Sequence, residues 1–101
     1  MDKVEMICFE IISSVGTARS CYVEAIKEAR NGYLSKADEL ITEGNEMLRK
    51  GHAVHASLVR DEAEGRKTDI SLLLIHAEDQ MMSAETLGIV SKELIELYRN
   101  K

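Results

Sequence analysis

The chain has 101 residues, a formal charge of −5 and a charged fraction of 31%. A domain of this size buries only about 65% of its unfolded surface when it folds, so a partner chain would add core. It contains no proline and one phenylalanine, which favours helices over strands and predicts an all-α fold. The acidic balance argues against a nucleic-acid partner, because binding to a phosphate backbone normally requires lysines and arginines clustered on one face.

The first predicted helix covers about residues 3–30 and is followed by the turn sequence "ARNGYLS". Apolar residues recur at three-and-four spacing up to the Asn-Gly pair, where a left-handed residue is expected to end the helix. The second helix is predicted over about residues 36–64, with Ser35 as its N-cap. Gly44 and Gly51 weaken it by about 1 kcal/mol each, so either the helix breaks there or another helix packs closely on the glycines. We favour one long helix.

The third helix is predicted to begin at Thr68 or Asp69 and to cover about residues 69–99, after the second turn sequence "EGRKTD". The short connections leave no room for crossovers, so the whole chain, residues 1–101, should form one antiparallel three-helix bundle. No apolar run approaches the 20 or so residues that a membrane span requires, and the N-terminus lacks a signal-peptide pattern. We therefore expect a cytoplasmic protein.

Cys8 and Cys21 agree with that compartment. If both lie on the first helix they are roughly 20 Å apart, which is too far for a disulfide within the chain. They are expected to be buried thiols rather than redox groups.

The third helix carries two apolar stripes. The first is a broad face suited to packing on the other two helices: Ile70, Leu73, Leu74, Ala77, Met81, Ala84, Gly88 and Ile95. A narrow stripe beside it is predicted to face solvent: Glu78, Glu85, Lys92 and Glu96. The remaining sector should be polar in a monomer, but it holds Leu72, Ile75, Met82, Leu87, Ile89, Val90, Leu94 and Leu97.

One small bundle cannot cover both flanks of its own helix, so the second stripe is predicted to pack against copies of itself. Asp79 lies within this stripe, and His76 lies at its margin. An ionised carboxylate in an apolar seam costs several kcal/mol unless it is paired. Asp79 therefore requires a partner group, a cation or a proton.

Simple interpretations compete with any functional one at this stage. A single histidine beside an apolar run is usually a hydrogen-bonded core residue, and the pair His76 and Asp79 forms a short pattern that arises by chance in many helices. His52 and His55, three residues apart without a carboxylate cluster, are poor evidence for a zinc site. The residues alone also allow a non-catalytic helical oligomer or adaptor whose apolar flank binds a partner helix.

The chain resembles a known family nearly from end to end. The matching segments are "CFEIISSVGTARS" in the first helix, "KADELITEG" and "GHAVHASLVRDEAEG" in the second, and "HAEDQMM" and "ELIELY" in the third. Their order and spacing together are similar to those of the lactose/cellobiose-type enzyme IIA family of the bacterial phosphoenolpyruvate-dependent sugar phosphotransferase system.

This resemblance implies a homotrimer assembled through the third helix, and a phosphotransferase component rather than a stand-alone turnover enzyme. His76 matches the phosphorylated histidine, which receives the phosphoryl group from HPr and delivers it to a cysteine of enzyme IIB. Asp79 matches an aspartate that meets its two copies around a divalent cation, which we expect to be Mg²⁺. The transported sugar would be a β-glucoside or disaccharide such as cellobiose or lactose, and contact with the membrane would be indirect, through the permease component.

The sequence departs from the pattern of the family, whose local motif more often reads His-Ala-Gln-Asp-His. Glu78 and Gln80 replace the glutamine and the second histidine, and His55 stands where a glutamine is common. We take Gln80, Glu78 and His52 as candidate supporting residues, with Gln80 one turn along the His76 face. Glu78 is expected to face solvent and to affect partner electrostatics more than chemistry.

A two-component histidine phosphotransfer domain is a further alternative. Such domains are four-helix bundles that typically place lysine or arginine near the histidine, whereas the charges nearest His76 in this sequence are acidic. That difference makes this interpretation weaker than the enzyme IIA one.

Overall fold

The computed structural model describes all 101 residues and contains three α-helices. They are α1 over Lys3–Arg30, α2 over Leu34–Ala63 and α3 over Leu72–Arg99. Lys3 at the start of α1 contacts Asp61 at the end of α2, and Asp38 near the start of α2 contacts Arg99 at the end of α3. The helices therefore run up, down and up in a bundle of 51 × 23 × 19 Å. The predicted all-α three-helix bundle is confirmed.

The helix ends show where local sequence signals succeeded and failed. Helix α1 starts after Asp2, whose carboxylate accepts from the Glu5 backbone N–H at 2.8 Å, and it ends at the Asn-Gly pair, where Gly32 has φ +90°. The predicted starts of the other two helices were wrong. Helix α2 begins at Leu34, before the predicted cap, and its N-cap residue Tyr33 makes no side-chain cap hydrogen bond.

Helix α3 begins at Leu72 rather than at Thr68 or Asp69. Its cap is Ser71, whose hydroxyl accepts from the Leu74 N–H at 3.1 Å. Three capping residue types occur within four positions, so the sequence alone did not select the one that is used. Ile70 consequently precedes the helix and is exposed. Its predicted place in the core-facing stripe was therefore wrong.

Tyr22 on α1 forms the centre of the packing between the three helices. It is fully buried, and its hydroxyl donates to Asn45 Oδ1 on α2 at 2.7 Å. A Cβ atom built on Gly44 of α2 would lie 2.7 Å from the Tyr22 ring, and one on Gly88 of α3 would lie 3.0 Å from it. The two glycines thus leave the space that the ring fills, and α2 remains one unbroken helix, as we favoured.

The other weak position of α2 has the same explanation. A Cβ atom on Gly51 would lie 2.7 Å from a methyl carbon of Val15 on α1. At Gly44 and Gly51, α2 therefore approaches α1 closely, and the cost of each glycine in helix propensity is offset by this packing.

Cys8 and Cys21 are buried, unpaired thiols on α1, as the sequence predicted. Burial raises the pKa of each thiol, and it raises the pKa of the Tyr22 hydroxyl as well. None of the three helices contains a stretch long and apolar enough to cross a bilayer.

Candidate functional site

Helix α3 presents His76 on the outside of the bundle. The core-facing side of the same helical turns is anchored by Ala77 and Met81, which are buried against α1, with Leu73 and Leu74 packed at the edge of that core. His76 points away from this anchor and is exposed. Neither of the two histidine–carboxylate pairs in the chain includes it. Its imidazole is therefore available to a partner rather than committed to the fold.

The second apolar stripe of α3 is left uncovered by the single chain. We call this surface the outer face. It comprises Leu72, Ile75, Met82, Ile89, Val90 and Leu97, which are 83%, 55%, 59%, 66%, 45% and 64% exposed. Leu87 and Leu94, also predicted in this stripe, are half-buried at its edge. The prediction that one bundle cannot cover both flanks of α3 is confirmed, and the outer face is a surface of the kind that marks an interaction site.

Asp79 lies on the outer face, as predicted, and its carboxylate has no lysine, arginine or histidine within ion-pair distance in the chain. It lines an open cavity together with Arg19, Met82, Ser83, Thr86, Leu87 and Val90. No group of three histidine, cysteine or acidic side chains gathers in a single chain. The chemistry of a carboxylate suits a hard divalent cation, but one chain supplies only one such ligand, so a site would need Asp79 from several chains.

Gln80 lies one helical turn beyond His76 and is held by a residue of α1. The Arg19 guanidinium donates from Nη1 to Gln80 Oε1 at 2.6 Å. Both residues are half-buried, and Arg19 Nε is buried without a hydrogen-bond partner. Arg19 was not among the residues predicted for this site, because the charges nearest His76 in the sequence are acidic. Its position on α1, outside the apolar stripe that packs on α3, carried no signal that it would reach this turn.

Glu78 and Glu85 are half-buried rather than fully solvent-facing as predicted, with side chains 37% and 40% exposed. Helix α2 packs beside this side of α3, so His55 Nε2 lies 2.7 Å from Glu78 Oε1, and His52 Nε2 lies 3.2 Å from Glu85 Oε1. The two departures from the family pattern at positions 55 and 78 therefore contact each other.

His52, a predicted supporting residue, is placed with Glu85 rather than with His76. Glu85 lies nine positions after His76 on α3, which corresponds to roughly 13 Å along the helix axis. Of the three predicted supporting residues, the structure therefore brings Gln80 to the His76 side, places Glu78 against α2 and sets His52 apart.

The arrangement around His76 suits nucleophilic chemistry. A neutral imidazole nitrogen is a competent nucleophile toward phosphorus, and phosphoryl transfer requires positioning and charge stabilisation more than covalent assistance. His76 is an exposed imidazole with a hydrogen-bonding amide one turn away, so a phosphoryl donor could reach it.

Comparison with known proteins gives a consistent picture. Residues 6–99 match the family model described as the lactose/cellobiose specific IIA subunit of the PTS system. The chain is 38% identical over 97 residues to the lichenan-specific phosphotransferase enzyme IIA component of Bacillus subtilis, a match that covers 96% of this chain and 88% of the relative.

Solved structures show the same fold. The crystal structure of the PTS cellobiose-specific enzyme IIA from Bacillus anthracis superposes with a TM-score of 0.96 at 39% identity, covering 99% of this chain and 92% of that one. The solution structure of the IIA(Chitobiose)–HPr complex of Escherichia coli matches with a TM-score of 0.84 at 28% identity, covering 99% and 97%. The chain therefore belongs to the lactose/cellobiose-specific IIA family and is a component of the sugar phosphotransferase system.

Proposed function

We propose that this chain is a phosphoryl carrier that accepts a phosphoryl group from phospho-HPr on His76 and passes it to a cysteine of enzyme IIB. The observation that carries the proposal is the exposed imidazole of His76, free of any ion pair, at the margin of the uncovered outer face. The family and a related IIA solved in complex with HPr support the choice of donor.

Each transfer exchanges one bond to phosphorus for another. In the first step an imidazole nitrogen of His76 attacks the phosphorus of phosphohistidine in HPr; a new P–N bond forms as the old one breaks, and the leaving imidazole keeps the electron pair. In the second step a cysteine thiolate of enzyme IIB attacks the same phosphorus. A P–S bond forms, and His76 recovers the electron pair of its P–N bond.

The outer face is proposed to assemble three copies of the chain. A trimer would bury the apolar side chains that a single bundle leaves exposed, and it would bring three Asp79 carboxylates together. Mutual repulsion and loss of hydration would then oppose assembly unless the three carboxylates held a hard cation such as Mg²⁺. The cation would supply positive charge that neutralises this cluster, while the phosphoryl chemistry stays with His76.

The proposed cargo of the system is a β-glucoside or disaccharide such as cellobiose or lactose. The relatives bear names that refer to lichenan, cellobiose and chitobiose, which indicates that one IIA architecture serves several related sugars. Sugar selection is therefore assigned to the membrane component, and the IIA chain is assigned the phosphoryl relay.

Reconstitution with phosphoenolpyruvate, enzyme I and HPr tests the proposal. Intact-mass measurement should show one added phosphoryl group per chain, and the label should be acid-labile and base-stable, as expected for phosphohistidine. Omission of HPr is the matched control and should prevent labelling. A non-catalytic adaptor, or a two-component phosphotransfer domain, would remain unlabelled in the complete mixture, and that result would overturn the proposal.

A further inference from the structure

We propose that Arg19 is a positioning residue, which orients the Gln80 side-chain amide so that its NH₂ group donates to the phosphoryl group on His76. The inference rests on the proposed function of His76 and adds two residues to its site. The observation behind it is the hydrogen bond between Arg19 Nη1 and Gln80 Oε1 at 2.6 Å, the only side-chain hydrogen bond between α1 and α3.

This hydrogen bond fixes which way the amide faces. A guanidinium has only hydrogen-bond donors, so the Gln80 group turned toward Arg19 must be the amide oxygen. The oxygen and the nitrogen leave the same carbon in different directions. Consequently the NH₂ group is turned away from Arg19, with two N–H donors available to another acceptor.

His76 is the neighbour that would bring such an acceptor. On a helix, the residues that flank a given side chain are those three and four positions away, with Cβ atoms about 5–6 Å apart. For His76 these residues are Leu72, Leu73, Asp79 and Gln80. Only Gln80 carries a neutral hydrogen-bond donor, whereas Asp79 would repel a phosphoryl group. The phosphoryl oxygens are strong acceptors that favour N–H donors.

The surroundings of Arg19 hold it in this role. Its side chain forms none of the ion pairs of the chain, and Gln80 is the residue to which its guanidinium hydrogen-bonds. Its Nε is buried without a hydrogen-bond partner, so the inner part of the side chain is enclosed by the protein. The unneutralised positive charge also lies on the side of α3 where the phosphoryl dianion would form, in a chain whose formal charge is −5.

A double-mutant cycle tests this inference, with the single-turnover transfer rate from phospho-HPr as the readout. Loss of a hydrogen bond to a charged group predicts a rate about tenfold lower for Gln80→Leu, and a similar loss for Arg19→Met. The double variant should be no slower than Gln80→Leu, because Arg19 acts through Gln80. Arg49→Met removes an exposed arginine of α2 and should transfer at the wild-type rate.

Gln80→Glu separates orientation from folding. The new carboxylate would pair with Arg19 at least as well as the amide does, so thermal stability should not fall. Transfer should nevertheless be slowed by about tenfold or more, because an acceptor oxygen replaces the NH₂ donor. A purely structural contact would leave the rate of this variant unchanged.

Two results would overturn the inference: a wild-type rate in Gln80→Glu, or the same fractional loss from Arg19→Met with and without Gln80. Absence of label on the wild-type chain in the same assay would instead overturn the proposed function itself. The two failures are therefore distinguishable within one experiment.

Discussion

Helix α3 has two contrasting sides: one packs against the Tyr22 ring of α1, and the other is the exposed outer face. At Gly88, α3 fits against the Tyr22 ring, and the Tyr22 hydroxyl is paired with Asn45. On its other flank, α3 exposes large apolar side chains, a carboxylate without a counter-charge and an unpaired imidazole. The groups around Tyr22 have their packing and hydrogen-bond partners within one chain, whereas those of the outer face do not.

The contrast between these two sides of α3 distinguishes residues that stabilise the fold from residues that are available for interactions with other molecules. Residues that serve the fold have their partners within the chain. Gly44 and Gly88, for example, leave the space that the Tyr22 ring fills. Residues that remain unsatisfied after folding require something outside the chain. His76 and Asp79 are in that second class, and so is the apolar surface between and around them.

Removal of the unpaired charge on the outer face should change the assembly of the protein more than any other single substitution. Asp79→Leu takes away the repulsion in the proposed trimer and adds apolar area beside Ile75 and Met82. Replacing buried charges by well-packed apolar residues is often neutral or stabilising by about 1–4 kcal/mol. Sedimentation velocity at low protein concentration should show a trimer for the variant with or without a chelator.

The exposed acid Glu39 of α2 supplies the control, since Glu39→Leu should leave both assembly and chelator sensitivity at their wild-type values. Dissociation of Asp79→Leu under conditions where chelated wild type remains trimeric would place Asp79 outside any seam between chains.

The satisfied region can be broken by a single methyl group. Gly44→Ala puts a Cβ atom within 2.7 Å of the Tyr22 ring, and overpacking of this kind costs about 1–3 kcal/mol, more than the gain of up to about 1 kcal/mol in helix propensity. Gly16→Ala is the matched control, because nothing lies within 4 Å of its Cβ position in the chain. Urea unfolding at a fixed protein concentration should show a lower free energy of unfolding for Gly44→Ala and an equal or higher one for Gly16→Ala.

Equal changes in these two variants would show that α1 and α2 do not approach closely at Tyr22. The comparison therefore examines the helix register as well as the stability of the core.

A smaller effect should appear at alkaline pH. Burial raises the pKa of the Cys8 and Cys21 thiols in the folded chain, so the unfolded chain loses these protons first as the pH rises. Their contribution to stability is full below about pH 8.5 and declines above it, by at most about 1.4 kcal/mol per pH unit for each thiol. Melting temperatures between pH 7.5 and 10 should fall, and Cys21→Ala should flatten the decline. An unchanged slope in that variant would contradict the assignment to the thiol.

Sequence periodicity predicted the three helices and both apolar flanks of α3, because a 3.6-residue repeat fixes which residues share a side of one helix. It did not predict the neighbours of each side. Glu78 and Glu85 were assigned to solvent because the period alone does not say where α2 lies, and α2 brings His55 and His52 to them.

The contact between Arg19 and Gln80 was missed for a related reason. It depends on how far α1 is rotated and shifted relative to α3, and neither quantity is encoded in the pattern of a single helix. The start of α3 was misplaced because Thr68, Asp69 and Ser71 are all plausible caps, and the choice among them depends on where the connection from α2 reaches the bundle.

Phosphoryl labelling of three histidine variants with phosphoenolpyruvate, enzyme I and HPr decides whether His76 is the residue that carries the phosphoryl group. His52 and His55 are paired with acids on α3, whereas His76 is exposed and unpaired. Each of the three histidines is replaced by alanine in turn, and the other two serve as internal controls. Only His76→Ala should lose acid-labile, base-stable label, with its circular dichroism spectrum unchanged. Full labelling of His76→Ala, with the phosphoryl group found on His52 or His55, would contradict the account.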